Sequence, residues 1–348
     1  MKTADFEFRL PCELIALRPA PRRDRSRLLI LRGDGRTEHR TFTDIADYLT
    51  CGDLLILNNT KVMPVRLIGS KPSGSKIDMI LVNEYKDGVW EVLCRGHYAG
   101  PVYLRDGIEA ELLFEDSRST GGEKKKCLRF LNAGAKHIDE LLERCGSMPL
   151  PPYIKRLPDD EDRERYQTVY AEKTGSIAAP TAGLHFTDDL LKGLSEKGVR
   201  IRRLTLHVGP GTFKPIKAEH LKHHAMLSEY FEIRAELLSE IEHTKKSAKR
   251  VITVGTTATR ALEGFLSGNY QATENGDGTI RGYTDIFIHP GYQFMGADAL
   301  LTNFHLPRST PLILASAFSG FEKLMQAYGE AISMGYRFFS YGDAMLIL

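Results

Sequence analysis

The chain has 348 residues, 42% of them hydrophobic and 26% charged, with a formal net charge of +2. This composition excludes wholesale disorder, and the length predicts roughly two domains with a large buried core. A charge so near zero does not by itself call for a nucleic-acid partner, and no apolar run approaches the ~20 residues of a membrane-spanning helix.

The first residues, MKTADFEFRLPCEL, are acidic early and broken by Pro11, unlike a secretory signal. A soluble, cytoplasmic protein is therefore expected. The five cysteines are widely spaced and form no C-x-x-C pair, which implies neither a disulfide framework nor a structural zinc site. Arg18, Arg22, Arg23, Arg25 and Arg27 crowd into a stretch whose sole acid is Asp24, a candidate phosphate-binding cluster or a solvated face. Leu54–Leu57 then reads as a buried strand entering a turn at Asn58-Asn59. From Lys61 onward short β-rich pieces follow one another: Pro64–Ile68, Ile77–Val82, Val89–Leu93, Val102–Leu104 and Glu109–Phe114. Their spacing predicts a small all-β barrel or sandwich. Glu115–Lys126 reads as a polar surface loop, Ala135–Arg144 as a helix, and the proline-rich SMPLPPYIKRLP as an extended connection between domains.

Beyond Pro158 helices and strands alternate, which argues for an α/β layer structure. Thr187 caps a helix with acids in its first turn, Leu190, Leu191 and Leu194 on one face and a stop at Gly198. A strand is expected at Val199–Val208, a helix at Ala235–Lys249, and a buried strand at Val251–Val254 running into a further helix. Thr284–Ile288 and Ala299–Thr302 look like strands, Thr310–Phe318 and Gly320–Met334 like helices, and Phe338–Leu348 contains a closing strand. Asn275–Gly278 reads as a tight turn. Two more basic clusters, Arg200 with Arg202 and Arg203, and Lys245, Lys246, Lys249 with Arg250, are open to the same two readings as the first; the latter ends a helix, where cations complement the dipole.

Four segments combine small and polar residues at apparent strand ends, where open α/β sheets form their ligand crevice. GSIAAPTAGLHFT (Gly175–Thr187) leaves backbone bare around Thr181 and Gly183 and ends near His185. HVGPGTF (His207–Phe213) carries Gly209, Gly211 and Thr212. It only partly matches a dinucleotide fingerprint, because Lys214 and Pro215 stand where the third glycine and a helix would. In GTTATR, Gly255, Thr256 and Thr257 follow the buried strand at a helix start suited to an anion or sugar oxygens. The last segment joins Asn303 and His305 with Tyr341 and Asp343. No metal-ligand spacing, P-loop or nucleophile elbow is present. These residues alone reach an α/β enzyme or ligand binder with a polar crevice.

At those segments the chain resembles the S-adenosylmethionine:tRNA ribosyltransferase-isomerase family. The matching strings include RDRSRLL, GDLLILNNTKV, PLPPYI, RERYQTVYA, IFIHPGYQF, LLTNFHLPRST and YRFFSYGDAML, besides three of the four segments above, and they keep the family's order along the chain. The chain departs from the family's H-x-M-H-S-E pattern, since Leu227 follows His224-Ala225-Met226, and Pro210 replaces a small residue in the glycine turn.

The resemblance implies a discontinuous main α/β domain (1–62 and 150–348) with a mixed sheet and flanking helices, and an inserted β-barrel domain (63–149). It implies S-adenosylmethionine as co-substrate, no bound cofactor or metal, and a tRNA partner bearing 7-aminomethyl-7-deazaguanine in the anticodon, acted on by a monomer. The general base is then expected among His185, His207 and His224, with Glu229 as an alternative whose carboxylate would also attract the sulfonium. Asp343 and Thr256 are expected to hold the methionine amine or the ribose hydroxyls, within a set of substrate contacts drawn from the four segments. Arg22, Arg23, Arg25 and Arg27 are expected phosphate contacts. A conventional methyltransferase and a non-catalytic RNA-binding protein are the alternatives; release of free adenine separates the first reading from both.

Overall fold

The computed structural model of the chain describes every residue but 87, 117–123, 133–137, 214–215 and 274–276, together with the side chains of all but Lys86, Asp116, Thr212 and Phe213. In chain order it begins with β1 (Arg27–Leu31), β2 (Thr37–Thr41), α1 (Ile45–Tyr48), β3 (Leu54–Asn58) and β4 (Thr60–Val62). Next come β5 (Arg66–Ser70), β6 (Lys76–Lys86), β7 (Val89–Cys94), β8 (Gly100–Tyr103), β9 (Glu109–Asp116), β10 (Lys124–Phe130), α2 (Ile138–Cys145) and α3 (Asp160–Arg165). The remainder comprises β11 (Lys173–Ser176), α4 (Asp188–Glu196), β12 (Arg200–Leu206), β13 (Glu229–Arg234), α5 (Glu236–Lys246), β14 (Val251–Val254), α6 (Gly255–Leu266), β15 (Gln271–Ala272), β16 (Thr279–Thr284), β17 (Ala299–Asn303), α7 (Thr310–Ser319), α8 (Phe321–Ser333) and β18 (Ala344–Ile347).

These elements form two compact units, Met1–Lys61 with Pro151–Arg156 and Arg165–Leu348, and Val62–Leu150 with Leu157–Glu164. The first is built on a mixed sheet in the order β15-β16-β13-β12-β3-β14-β17-β18-β1-β2. β12, β3, β14 and β17 run parallel. β18 runs against β17 but parallel to β1, which pairs Leu28–Leu31 with Ala344–Ile347. An early strand beside the last one makes this unit discontinuous. Every residue of β3 and β14 is buried, as expected of strands covered on both faces. α4 has the expected cap, with the Thr187 hydroxyl accepting from the Leu190 N–H at 3.2 Å.

That topology fixes where chemistry gathers. The carboxyl ends of β12, β3, β14 and β17 share one edge. Because β18 is antiparallel to β17, its amino end lies at the same edge, and so does that of β1. All four sequence segments, together with the Arg22–Arg27 turn, therefore converge there.

The second unit is a closed barrel of antiparallel strands, ordered β10-β7-β6-β5-β8-β9. Leu67, Met79, Leu81, Val92, Val102, Leu112 and Leu128 fill it. A Cβ on Gly69 would lie 2.4 Å from a Val102 methyl carbon, so glycine there lets the two strands close together.

Three expectations change. The strand sought at Thr284–Ile288 is Thr279–Thr284; beyond it Ile286 and Ile288 enter the core from extended chain with no ladder partner. Alternating burial looks the same in both cases. Glu115, Asp116 and Lys124–Lys126 belong to β9 and β10 rather than a loop, and the stretch between them lies outside the described residues. The Val199–Val208 run ends as a strand at Leu206. Most of the Asn275–Gly278 turn also lies outside the described residues.

Candidate active site

The edge holds a crevice of about 90 Å³ lined by Ala178–Ala182, Val208, Gly255–Thr257, Thr302–Leu306, Phe339 and Ser340, with Tyr153 and Tyr166. Gly255 takes φ +86, a left-handed conformation that glycine adopts without strain and that turns β14 into α6. No side chain caps α6. Its first N–H groups and the positive end of its dipole are thereby left at the crevice beside the Thr256 hydroxyl. The Thr257 hydroxyl accepts from the Asn58 amide at 3.1 Å.

Behind the crevice lies a locked network. The Asn303 amide nitrogen faces three acceptors: His185 Nε2 at 3.1 Å, the Phe339 carbonyl at 3.3 Å and the Asp343 carbonyl at 3.4 Å. Two carbonyls on that side fix the amide orientation, so His185 Nε2 accepts and Nδ1 carries the proton toward Ser26 Oγ at 2.7 Å. The ring stacks on Phe42, centroids 5.0 Å apart. Burial, then the nearby Arg337 and Arg23 charges, push its pKa down to about 3. Asn303 is 2% exposed, and its Oδ1 has no hydrogen-bond partner among the described residues. Such an orphan acceptor is costly unless something supplies a donor.

His305 differs. It lines the crevice, its Nε2 meets Thr302 Oγ1 at 2.6 Å, and burial pushes its pKa down to about 3. Its Nδ1 makes no hydrogen bond among the described residues. It is a neutral imidazole with one nitrogen to offer.

A family profile described as "Queuosine biosynthesis protein" matches residues 3–347. The chain is 52% identical to the S-adenosylmethionine:tRNA ribosyltransferase-isomerase of Thermodesulfovibrio yellowstonii over 353 aligned positions, covering 100% of both. It is 50% identical to the enzyme of that name from Halothermothrix orenii, again with 100% of both covered. A crystal structure of S-adenosylmethionine tRNA ribosyltransferase from Thermotoga maritima superposes with a TM-score of 0.55 at 33% identity, over 99% of this chain and 100% of that one.

The chain belongs to the queuosine biosynthesis family.

Against that membership, the residues singled out in the sequence divide. Thr181, Gly255, Thr256, Thr257, Asn303 and His305 line the crevice. His185 lines a smaller cavity with Arg23, Ser26 and Tyr341, and both its nitrogens are taken by protein. The Asp343 oxygens accept from the Arg27 N–H at 3.0 Å and the Arg337 N–H at 2.8 Å, so this carboxylate ties two backbones together rather than facing the crevice. Glu229 is buried. One oxygen accepts from the Gly209 N–H at 3.0 Å, and the other pairs with Arg260, one turn along α6 from Thr256. Its charge is thus matched inside the protein. His207 holds Thr60 Oγ1 at 2.8 Å and stacks on Tyr230; its neighbour Val208, on the opposite face of the chain, is the one that reaches the crevice. Burial lowers the pKa of His207, as it does that of His224, which packs edge-on against Phe287.

The glycines also differ in purpose. A Cβ on Gly183 would lie 2.0 Å from the Tyr170 hydroxyl, so this glycine serves packing. Gly211 faces Leu227, which is 44% exposed. The Thr212 side chain lies outside the described ones. Of the arginines, Arg22 and Arg25 are exposed, whereas Arg23 donates to the Leu184 carbonyl at 3.2 Å and Arg27 lies over the Tyr336 ring while bonding the Met334 carbonyl.

Sequence reasoning passed over Arg260, Tyr153, Tyr166 and Phe339. Arg260 was legible as a cation four residues after Thr256 on a helix buried on most sides; the aromatics reach the crevice by tertiary packing, which leaves no local signal. A larger cavity of about 750 Å³ lies along β12 and β13, but several of its charges are already matched, as in Arg202–Glu240 at 2.6 Å and Arg203–Glu172 at 3.5 Å. Arg250, from the third basic cluster, likewise bonds Asp53 at 2.6 Å. Among the described residues no three His, Cys, Asp or Glu cluster as a metal would require, and no helix is long and apolar enough to cross a membrane.

Proposed function

We propose that the chain is an S-adenosylmethionine:tRNA ribosyltransferase-isomerase. It moves and isomerises the ribosyl group of S-adenosylmethionine onto 7-aminomethyl-7-deazaguanine at the tRNA wobble position. Epoxyqueuosine-tRNA, adenine and methionine are the products. The observation that carries this reading is end-to-end relatedness to enzymes of that name, in a chain whose segments of resemblance meet at one polar crevice. A soluble, cytoplasmic monomer is the setting such a reaction fits.

The sulfonium acidifies the adjacent C5′–H bonds by stabilising a carbanion. A base removes that proton, the ribose ring opens as adenine leaves with a proton, and the tRNA amine, having lost its own proton, attacks. Closure of the epoxide expels methionine. In this scheme His305 Nδ1 is the proton acceptor, held in place through Thr302. Asn303 Oδ1 accepts from a substrate N–H, and the amino end of α6 with Thr256 holds the methionine carboxylate or ribose oxygens. His185, Asp343 and the Glu229–Arg260 pair position these groups without touching substrate. Arg22 and Arg25 are left as the phosphate contacts of the basic turn. The crevice as it stands is smaller than the ~300–1,000 Å³ of pockets that enclose whole ligands, so the lining loops must part to admit the nucleoside.

Incubation with S-adenosylmethionine and tRNA bearing the aminomethyl base tests this. Free adenine, free methionine and tRNA heavier by the cyclopentane epoxide are expected. S-adenosylhomocysteine with a methyl-sized mass gain, or binding with no adenine released, overturns it.

A further inference from the structure

The barrel unit collects cations at one of its ends. Register pairs Ser70 with Lys76, Gly100 with Leu112, and Lys124 with Asp116. The turn after β5, the loop after β7 and the start of β10 therefore share a rim. Side chains link all three. The Lys71 ammonium lies 4.6 Å from the Tyr98 ring centroid, and the Tyr98 hydroxyl donates to the Pro101 carbonyl at 2.7 Å. The Lys126 ammonium donates to the Gly96 carbonyl at 2.8 Å and lies 5.5 Å from the centroid of Phe114, itself 42% exposed. Lys76, Arg95, His97 and Lys124 are exposed around them.

Two carboxylates near this patch are engaged by other cations. Glu91 matches Lys125 at 2.8 Å, and Glu115 leans on Arg129 at 3.7 Å. At the other end of the barrel charge is balanced, with Arg144 on Asp106 at 2.9 Å. Exposed cations beside aromatic rings, here the exposed Phe114 and the half-buried Tyr98, are what sequence-tolerant RNA binding uses. The charges take phosphates and the rings offer stacking faces. A hydrophobic partner would be poorly served by so many ammonium groups, whereas a polyanion complements them.

We propose that this rim of the barrel is a tRNA-backbone contact, separate from the basic turn at Arg22–Arg25. The inference rests on the reading that the substrate is a tRNA. It gives the inserted barrel a role of its own, which is to hold the substrate's phosphates while the main sheet carries the chemistry.

The test titrates the full-length protein with unmodified tRNA across a salt series and compares Lys71→Gln/Arg95→Gln/Lys126→Gln with the wild type. The triple variant is expected to bind about tenfold or more weakly at low salt. Its salt slope should fall by roughly 2, since each lost phosphate contact removes ~0.7–0.9. In turnover, KM for tRNA should rise while KM for S-adenosylmethionine and kcat at saturating tRNA hold. Arg105→Gln/Arg144→Gln at the other rim should change none of these. An unchanged slope and KM in the triple variant, or an equal loss in the control, overturns the proposal. If the triple variant melts early, Arg95→Gln alone must still lower the slope by about 1, and failure to do so overturns it too. A wild-type protein that binds tRNA but releases no adenine would sink the proposed reaction while leaving this titration readable.

Discussion

Asn303 separates two regions of the main unit that treat polar groups in opposite ways. Behind it, His185 has protein on both ring nitrogens and Asp343 has backbone N–H groups on both oxygens. Ahead of it, Asn303 Oδ1, the Thr256 hydroxyl and one nitrogen of His305 have no partner among the described residues. Burial drives both histidines to about 3. A perturbed titration therefore does not distinguish frame from site here, although such shifts often mark active sites. Unused bonding capacity does distinguish them. A fully bonded buried group holds a shape, whereas a half-bonded one waits for a ligand.

The sharpest way to break that distinction is to remove each ring in turn. His305→Ala is expected to lower kcat for adenine release by about 10²-fold or more, in the range of a lost general base, with a melting midpoint near wild type. His185→Ala should instead lower stability by roughly 2–4 kcal/mol, because it opens a cavity and strands the Asn303 amide and the Ser26 hydroxyl. Adenine-release kinetics beside thermal melts read both. If His305→Ala turns over normally, the crevice histidine is not the base.

The same contrast explains what was legible in the sequence. The α/β layering, a barrel or sandwich of short strands, and the helix starts at Thr187 and Gly255 followed from apolar runs, turn residues and a good N-cap, all local signals; the mixed sheet and the choice of a barrel came from the resemblance. The crevice residues Thr181, Gly255, Thr256, Asn303 and His305 were legible because small and polar residues at strand ends have few other reasons to cluster. Roles within the site were not legible. Nothing local says that Asp343 meets the backbone of Arg27, or that Glu229 meets Arg260, because these partners are brought together by strand order. β18 lies beside β1 only once the sheet is assembled. Gly183 shows the same limit: read as bare backbone for a ligand, it is bare because Tyr170 needs the room.

A second prediction concerns the frame alone. Glu229 and Arg260 form a buried pair tying the Gly209 loop to α6. Arg260→Leu leaves an unmatched buried carboxylate and should cost about 3–5 kcal/mol, the usual penalty for breaking such a pair. Urea unfolding measures it. If Glu229 were a free catalytic carboxylate, the loss would appear in kcat with stability largely intact.

The smallest expected effect is in the pH dependence of stability. His185 and His305 have folded pKa values of about 3 against an ordinary histidine value of 6.5, lowered by burial. The unfolded chain binds the protons that the folded chain refuses. Their contribution is therefore fully present above pH ~6.5 and is lost as pH falls toward ~3, by about 1.4 kcal/mol per pH unit for each ring. Carboxylates titrate in the lower part of that window, so the informative quantity is the difference between wild type and His305→Gln. The variant's stability curve should be shallower by about one proton between pH ~6 and ~4.5. Parallel curves would mean that the His305 ring takes up its proton in the folded protein. Its folded pKa would then match the ordinary histidine value of 6.5, and burial would not be what keeps the crevice imidazole neutral.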